Sequence, residues 1–237
     1  MADWVKKLWV RVSFWHPPVA QGDWGKELEQ FYRSSAVYHA MTRSAPKEGD
    51  PQVLKLLESV QLRDTVLEFG CGGGRILKKV SSRCNLACGL DLSGLALKAL
   101  EFQGRRGGLG VQADGCHAPW KTACADVVYS FEVLEHVMEP GRFLWEMIRV
   151  LKPGGLIFLS FPNGFSLDLH LPRRRFLRWL DVVGAIWSLA WVWLTGRWHW
   201  RQRPECLDGR VFPDCDWVSR IHPFGLAGFF RKLGCRV

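Results

Sequence analysis

The ten residues from Thr65 to Gly74 read TVLEFGCGGG, a short apolar run that ends in Glu68 and Phe69 and passes at once into a loop with glycine at four of its five positions. Thr65 to Phe69 predicts a buried strand, because the run is short, apolar and bounded by turn residues. Ile76, Leu77 and Val80 then fall at helical spacing, so the glycines lie between a strand and a helix. Such a loop meets three physical demands. The backbone turns sharply, a ligand can approach where a Cβ would clash, and the helix start offers N–H groups that lack intrahelical partners. Taken alone the loop is a weak signal, and a merely tight strand-to-helix turn is its plain alternative.

Working outward, strands and helices alternate. Pro51 opens a helix with Val53, Leu54, Leu57 and Val60 on one face. After the loop and its helix come a strand at Ala87–Leu90, a helix carrying Leu95, Leu97, Leu100 and Phe102, and a glycine-rich turn at Gly104–Gly110. Further strands are expected at Val111–Ala113, Val127–Tyr129 and Leu156–Leu159, with a helix from about Pro140 to Leu151 closed by Lys152, Pro153, Gly154 and Gly155. This order predicts an α/β fold: a doubly wound, mostly parallel Rossmann-like sheet with helices on both faces. Before it, Trp4, Trp9 and Trp15 through Phe31, Tyr32 and Tyr38, broken by Pro17, Pro18 and Pro46, read as an N-terminal helical cap over residues 1–50.

Hydrophobic residues at 48% and charged residues at 23% argue against both a disordered chain and a polytopic membrane protein. The net charge of +9 suits an anionic surface, either nucleic acid or lipid. Eight cysteines, Cys71, Cys84, Cys88, Cys116, Cys124, Cys206, Cys215 and Cys235, form no CxxC pair and follow no secretory signal, which points to reduced thiols in a cytoplasmic setting and away from a zinc site.

The spacing narrows the ligand. A nicotinamide fingerprint wants G-x-G-x-x-G, and Arg75 stands where its last glycine would be. Asp91 ends the second strand just before Leu92 and Ser93, the latter a helix N-cap candidate, and a carboxylate there can accept both hydroxyls of an adenosine ribose. Asp114, followed by Gly115, ends the third strand where a carboxylate can accept from an adenine amino group. Each aspartate alone is a common turn former. Three such strand ends in order converge on one crevice at the carboxyl edge of a parallel sheet, where these folds bind ligands.

Over about Val66–Asn163 these residues resemble the class I S-adenosylmethionine-dependent methyltransferases, in particular the broad group that includes quinone-biosynthesis methyltransferases. Five pieces carry the likeness in order: Val66–Gly74, Gly89–Ser93, Asp114, Asp126–Val137 and Arg149–Gly155. The resemblance implies S-adenosyl-L-methionine as cofactor. Glu68, Gly70, Cys71, Gly72 and Gly74 would surround its methionine part, Asp91 and Leu92 the ribose, Asp114 and Gly115 the adenine, and Ser130, Phe131, Glu132 and Val133 the sulfonium side. Glu132, Glu135 and His136 form an E-x-x-E-H run similar to one that some members of the family use to hold a divalent metal; that ion is the less favoured reading here, because a metal site needs a third or fourth ligand in the right place. His136 is the candidate general base for a hydroxyl acceptor.

From Asn163 the chain departs from that core. Leu171–Arg175 brings a proline and three arginines, Phe176–Leu194 is almost wholly apolar, and Arg197, Arg201 and Arg203 follow. Six tryptophans, Trp179, Trp187, Trp191, Trp193, Trp198 and Trp200, crowd this stretch. Arg178 and Asp181 leave too short a run to span a bilayer, so residues 173–203 read as a peripheral membrane contact or as a lid over the site. The expected organisation is a cap at 1–50, a cofactor-binding core at 51–163, a Trp/Arg-rich insertion at 164–216, and a C-terminal helix with a truncated strand at 217–237. By the resemblance, the final antiparallel hairpin is incomplete, β-strand five becomes an open edge, and the chain is a fragment or shortened isoform. The functional expectation is O-methylation of a small, apolar or lipid-like acceptor. Its alternatives are an inactive methyltransferase-like binding module and a nucleic-acid methyltransferase.

Overall fold

A computed structural model of the chain describes residues 24–34, 49–98, 108–162, 187, 190, 194–201, 204–208, 216 and 218–237. Leu100, Phe102, the turn at 104–107, the 171–175 run, most of 176–194, and the aromatic and proline residues before Trp24 lie outside this set. The elements in chain order are α1 (Trp24–Ser34), α2 (Pro51–Ser59), β1 (Thr65–Phe69), α3 (Arg75–Ser81), β2 (Leu86–Asp91), α4 (Gly94–Lys98), β3 (Gly108–Gln112), β4 (Ala125–Phe131), α5 (Pro140–Val150), β5 (Leu151–Ser160), β6 (His199–Arg201), β7 (Ser219–Ile221) and α6 (Pro223–Lys232).

Five strands form one sheet in the order β3-β2-β1-β4-β5, with every pair parallel. The switch of direction between β1 and β4 opens a crevice at their carboxyl ends, and the glycine loop leaves β1 at that point. The central strands are apolar on both faces because both are covered. Leu67, Phe69, Val128, Phe143, Leu144 and Met147 close one layer; Val66, Leu77, Val80, Val127 and Tyr129 close the other. A third, smaller cluster joins α1 to the rest, with Leu28 and Tyr32 packed on Cys206 and Val218 and touching Leu92 and Met138.

Three sequence expectations change in detail. Strand β3 begins at Gly108, inside the expected glycine turn, because Gly108, Leu109 and Gly110 pair with Ala87, Cys88 and Gly89; the neighbouring ladder outweighs weak strand propensity. The Lys152–Gly155 turn lies within β5. Leu151 pairs with Ala125, the register shifts, and Leu156 resumes against Val127. Lys152 holds this irregularity by binding both carboxylate oxygens of Asp126, at 2.9 and 2.8 Å, while Asp126 also accepts from the Thr65 amide at 2.9 Å. Partial burial alone would push Asp126 up, and the Lys152 ammonium and the Thr65 amide hold its carboxyl below the usual range. The third change lies in the tryptophan-rich stretch. His199–Arg201 pairs antiparallel with Ser219–Ile221, and Trp198 is buried with the core against Phe229, at 5.3 Å between ring centres. Trp187 and Leu194 are exposed, each at 72%. No helix among the described residues is long and apolar enough to cross a membrane.

Candidate functional site

The glycine loop is built by backbone conformation first. Gly70, Gly72 and Gly74 have φ of +77°, +51° and +70°, values that other residues adopt only with strain. The loop is stitched to β2, with the Gly70 and Cys71 amides donating to the Leu90 carbonyl at 2.8 and 2.9 Å. Gly70 has a second reason to lack a side chain, since a Cβ there would stand 2.4 Å from Val133 Cγ2. At Gly73 a Cβ would meet nothing within 4 Å, so this part of the loop faces open space.

Asp91 is the organiser of the loop. Its Oδ2 accepts from the Gly72 amide and its Oδ1 from the Ser93 amide, both at 2.8 Å, so one carboxylate ties the glycine turn to the next helix start. Ser93 caps α4 as expected, its Oγ accepting from Ala96 N at 3.1 Å. Burial raises Asp91's proton affinity, and the two amide bonds offset this only in part. Glu68 lies behind the loop, 5% exposed. It accepts from the Tyr129 hydroxyl at 2.7 Å and from the backbone amide of Leu77 in the first turn of α3. Gly74, at the N-cap of α3, has no side chain to cap that helix, so Glu68 supplies the acceptor from the strand before it. Burial pushes the Glu68 carboxyl up to about 8, with the nearby Asp91 charge adding to the rise and the Tyr129 bond opposing it.

The remaining expected residues divide. Asp114 is half-exposed and already occupied, its Oδ1 accepting from Cys116 N at 2.8 Å and its Oδ2 lying 3.0 Å from His117 Nδ1. Gly115 makes room for Phe143, whose ring carbon would be 2.4 Å from an added Cβ. Leu92 lies under α1, and its carbonyl accepts from Gln112 Nε2 at 3.0 Å. Ser130 donates to the Phe69 carbonyl at 2.8 Å, while Phe131 packs on Tyr129 at 5.3 Å between ring centres; both brace β4. Glu132 has φ +54° and accepts from Ser160 Oγ at 2.7 Å, and Val133 fills the space above Gly70. Cys71 is buried, and that burial together with the Glu68 and Asp91 charges pushes its thiol well up, so it is not a reactive thiolate.

His136 is drawn between two buried carboxylates. Its Nδ1 lies 3.2 Å from Asp216 Oδ2 and its Nε2 lies 3.5 Å from Glu135 Oε1. The same region is fastened by Val218 N donating to the Glu135 carbonyl at 2.9 Å, Ser219 Oγ to the Val137 carbonyl at 3.2 Å, and Tyr32 Oη to the Asp216 carbonyl at 3.3 Å. The residues after β4 therefore bind a segment eighty positions later. Among the described residues no group of three or more His, Cys, Asp or Glu is placed to hold a metal ion, and Glu132, Glu135 and His136 each have protein partners instead.

Tyr129, Ser160 and Asp216 escaped the sequence reading. Tyr129 carried one legible signal: a phenol inside a strand apolar on both faces needs a partner for its hydroxyl. Nothing in the linear order pointed to Asp216.

Residues 67–159 match the methyltransferase domain family. Curated relatives include ubiquinone biosynthesis O-methyltransferases from Caulobacter vibrioides, 31% identical over 169 residues (69% of this chain and 62% of the relative), and from Idiomarina loihiensis, 33% identical over 132 residues (54% and 50%). The chain thus spans less than two thirds of the length of these relatives. Among solved structures, an S-adenosylmethionine-dependent methyltransferase from Mesorhizobium loti aligns at 22% identity with a TM-score of 0.46, over 51% of this chain and 57% of that one.

Proposed function

We propose that the chain is a class I S-adenosylmethionine-dependent methyltransferase, an enzyme that moves a methyl group from S-adenosylmethionine to an oxygen of a small, apolar, quinone-like or lipid-like acceptor. One observation carries the cofactor reading. Two buried acids, Glu68 and Asp91, flank a loop of positive-φ glycines. A buried carboxylate is costly even where amide and hydroxyl donors reach it, so the site suits a ligand that brings its own cation. S-adenosylmethionine brings a sulfonium and an ammonium group.

The acceptor oxygen attacks the methyl carbon, the carbon–sulfur bond breaks, the sulfur keeps the electron pair, and the acceptor proton leaves to a base. In-line displacement asks mainly for positioning and desolvation, which the rigid loop and the covered sheet supply. His136 is the candidate base. In that role its ring exchanges one carboxylate contact for the acceptor hydroxyl. A metal is not part of the proposal, and chelation should leave turnover unchanged.

Residues 173–203 are proposed as a peripheral membrane contact through which an apolar acceptor enters; exposed Trp187 and Leu194 support this. Anionic-liposome sedimentation tests it, and unchanged partitioning of Trp187→Ser and Leu194→Ser would refute it. For the central claim, titration calorimetry with S-adenosylhomocysteine should show saturable binding that Gly72→Arg abolishes. Labelled-methyl transfer should then enter a lipid extract and not RNA. Binding without transfer to either would instead assign the chain to a non-catalytic module.

A further inference from the structure

Glu68 and Tyr129 form a pair for which the transfer chemistry has no direct use. Both are buried, Tyr129 at 0% and Glu68 at 5% exposure, and their 2.7 Å hydrogen bond joins residues 61 positions apart on neighbouring strands. The Glu68 carboxylate also takes the Leu77 amide, so it couples β1, β4 and the first turn of α3, the three elements that frame the glycine loop. The titratable groups around it come from every side of this frame: Asp91 from β2, Tyr129 from β4, Cys71 from the loop itself, and Cys84 beyond α3, which acts on Tyr129. All are acids, and none supplies a positive charge.

On the cofactor reading above, we infer that Glu68 is the proton store of the cofactor site and Tyr129 its positioning residue, so that binding of the cationic cofactor expels one proton from Glu68 to solvent. The geometry gives the reason. Burial and the Asp91 charge beside it favour a neutral Glu68. A ligand carrying an ammonium group beside the loop favours the carboxylate, and the Tyr129 hydroxyl, fixed at hydrogen-bond distance, stabilises that charged form. Burial pushing the Glu68 carboxyl up to about 8 places the exchange within reach of neutral pH. One fully linked proton makes affinity rise about tenfold per pH unit below that value and level off above it.

The test is calorimetric titration of the whole chain with S-adenosylhomocysteine from pH 6 to 9, in phosphate and in Tris, whose different ionisation heats report the protons released. Wild type should release close to one proton near pH 6.5, falling toward zero by pH 9, with Kd dropping about tenfold per unit up to about pH 8. Glu68→Gln should bind with no such release and a flat profile. Tyr129→Phe removes the bond that favours the carboxylate. Its levelling point should therefore move upward and its affinity at pH 7 should fall roughly tenfold, while a purely structural role for Tyr129 would weaken binding equally at every pH. Saturable wild-type binding without proton release, or equal release by Glu68→Gln, overturns the inference alone. Absence of binding at every pH overturns the cofactor reading with it.

Discussion

Replacing Glu68 by glutamine should make the protein more stable, and increasingly so as pH rises. The carboxyl has an ordinary value of 4.5 in an open chain and about 8 when buried behind the loop. A group held more tightly protonated in the fold than in the unfolded chain contributes stability that is complete below about 4.5, is lost as pH climbs, and is gone above about 8. At 1.36 kcal/mol per pH unit the whole span is worth roughly 5 kcal/mol. Glutamine mimics the neutral acid and does not titrate. Urea denaturation of ligand-free protein should therefore show a stability gap in favour of Glu68→Gln that widens by roughly 3 kcal/mol between pH 5.5 and 8. Comparing the two proteins at each pH cancels the titrating groups that do not interact with Glu68, leaving Asp91, Cys71 and Tyr129 as its coupled neighbours. A gap that is constant with pH, or that favours wild type at pH 8, would refute the argument that Glu68 is buried as a neutral acid.

Other consequences follow from the same geometry. Asp91→Ala leaves the Gly72 and Ser93 amides without their acceptor, and S-adenosylhomocysteine affinity by calorimetry should weaken more than about tenfold, while far-ultraviolet circular dichroism stays that of the folded sheet. Gly70→Ala adds a Cβ 2.4 Å from Val133 at φ +77°, and should cost roughly 2–4 kcal/mol in denaturant titration. His222 caps α6 by accepting from Gly225 N at 3.3 Å, and burial holds the ring below its ordinary 6.5. Its contribution is present above 6.5 and is lost as pH falls through the depressed value, so the protection of the Gly225 amide, its exchange rate measured against the intrinsic rate at each pH, should fall as pH drops below 6.5, and His222→Asn, a cap that does not titrate, should flatten that response.

The fold was legible in the sequence because its signals are local. Apolar runs at β1, β2 and β4, helical spacing at Val53, Leu57, Ile76 and Val80, and glycines where the chain turns each depend on neighbours a few residues away, and alternation then left little choice of topology. Ser93 as a helix cap and Asp91 at a strand end belong to the same class. Strand β3 was partly hidden, since glycines that read as a turn become a strand only against β2, and the β6–β7 ribbon was hidden wholly, because three-residue strands carry no periodicity.

The site was legible as a place more than as a set of bonds. The sequence by itself determined that a glycine loop, a carboxylate after β2 and an acidic run after β4 meet at one sheet edge, because strand order and the φ preference of glycine are written residue by residue. Only the tertiary structure decided that Glu68 caps α3 and shares a hydrogen bond with Tyr129, that Gly115 yields its space to Phe143, and that both nitrogens of His136 face carboxylates. Apart from the contact with its neighbour Glu135, those facts depend on which residues 9, 28, 61 or 80 positions apart are brought together, and on how far burial strips each of them of water.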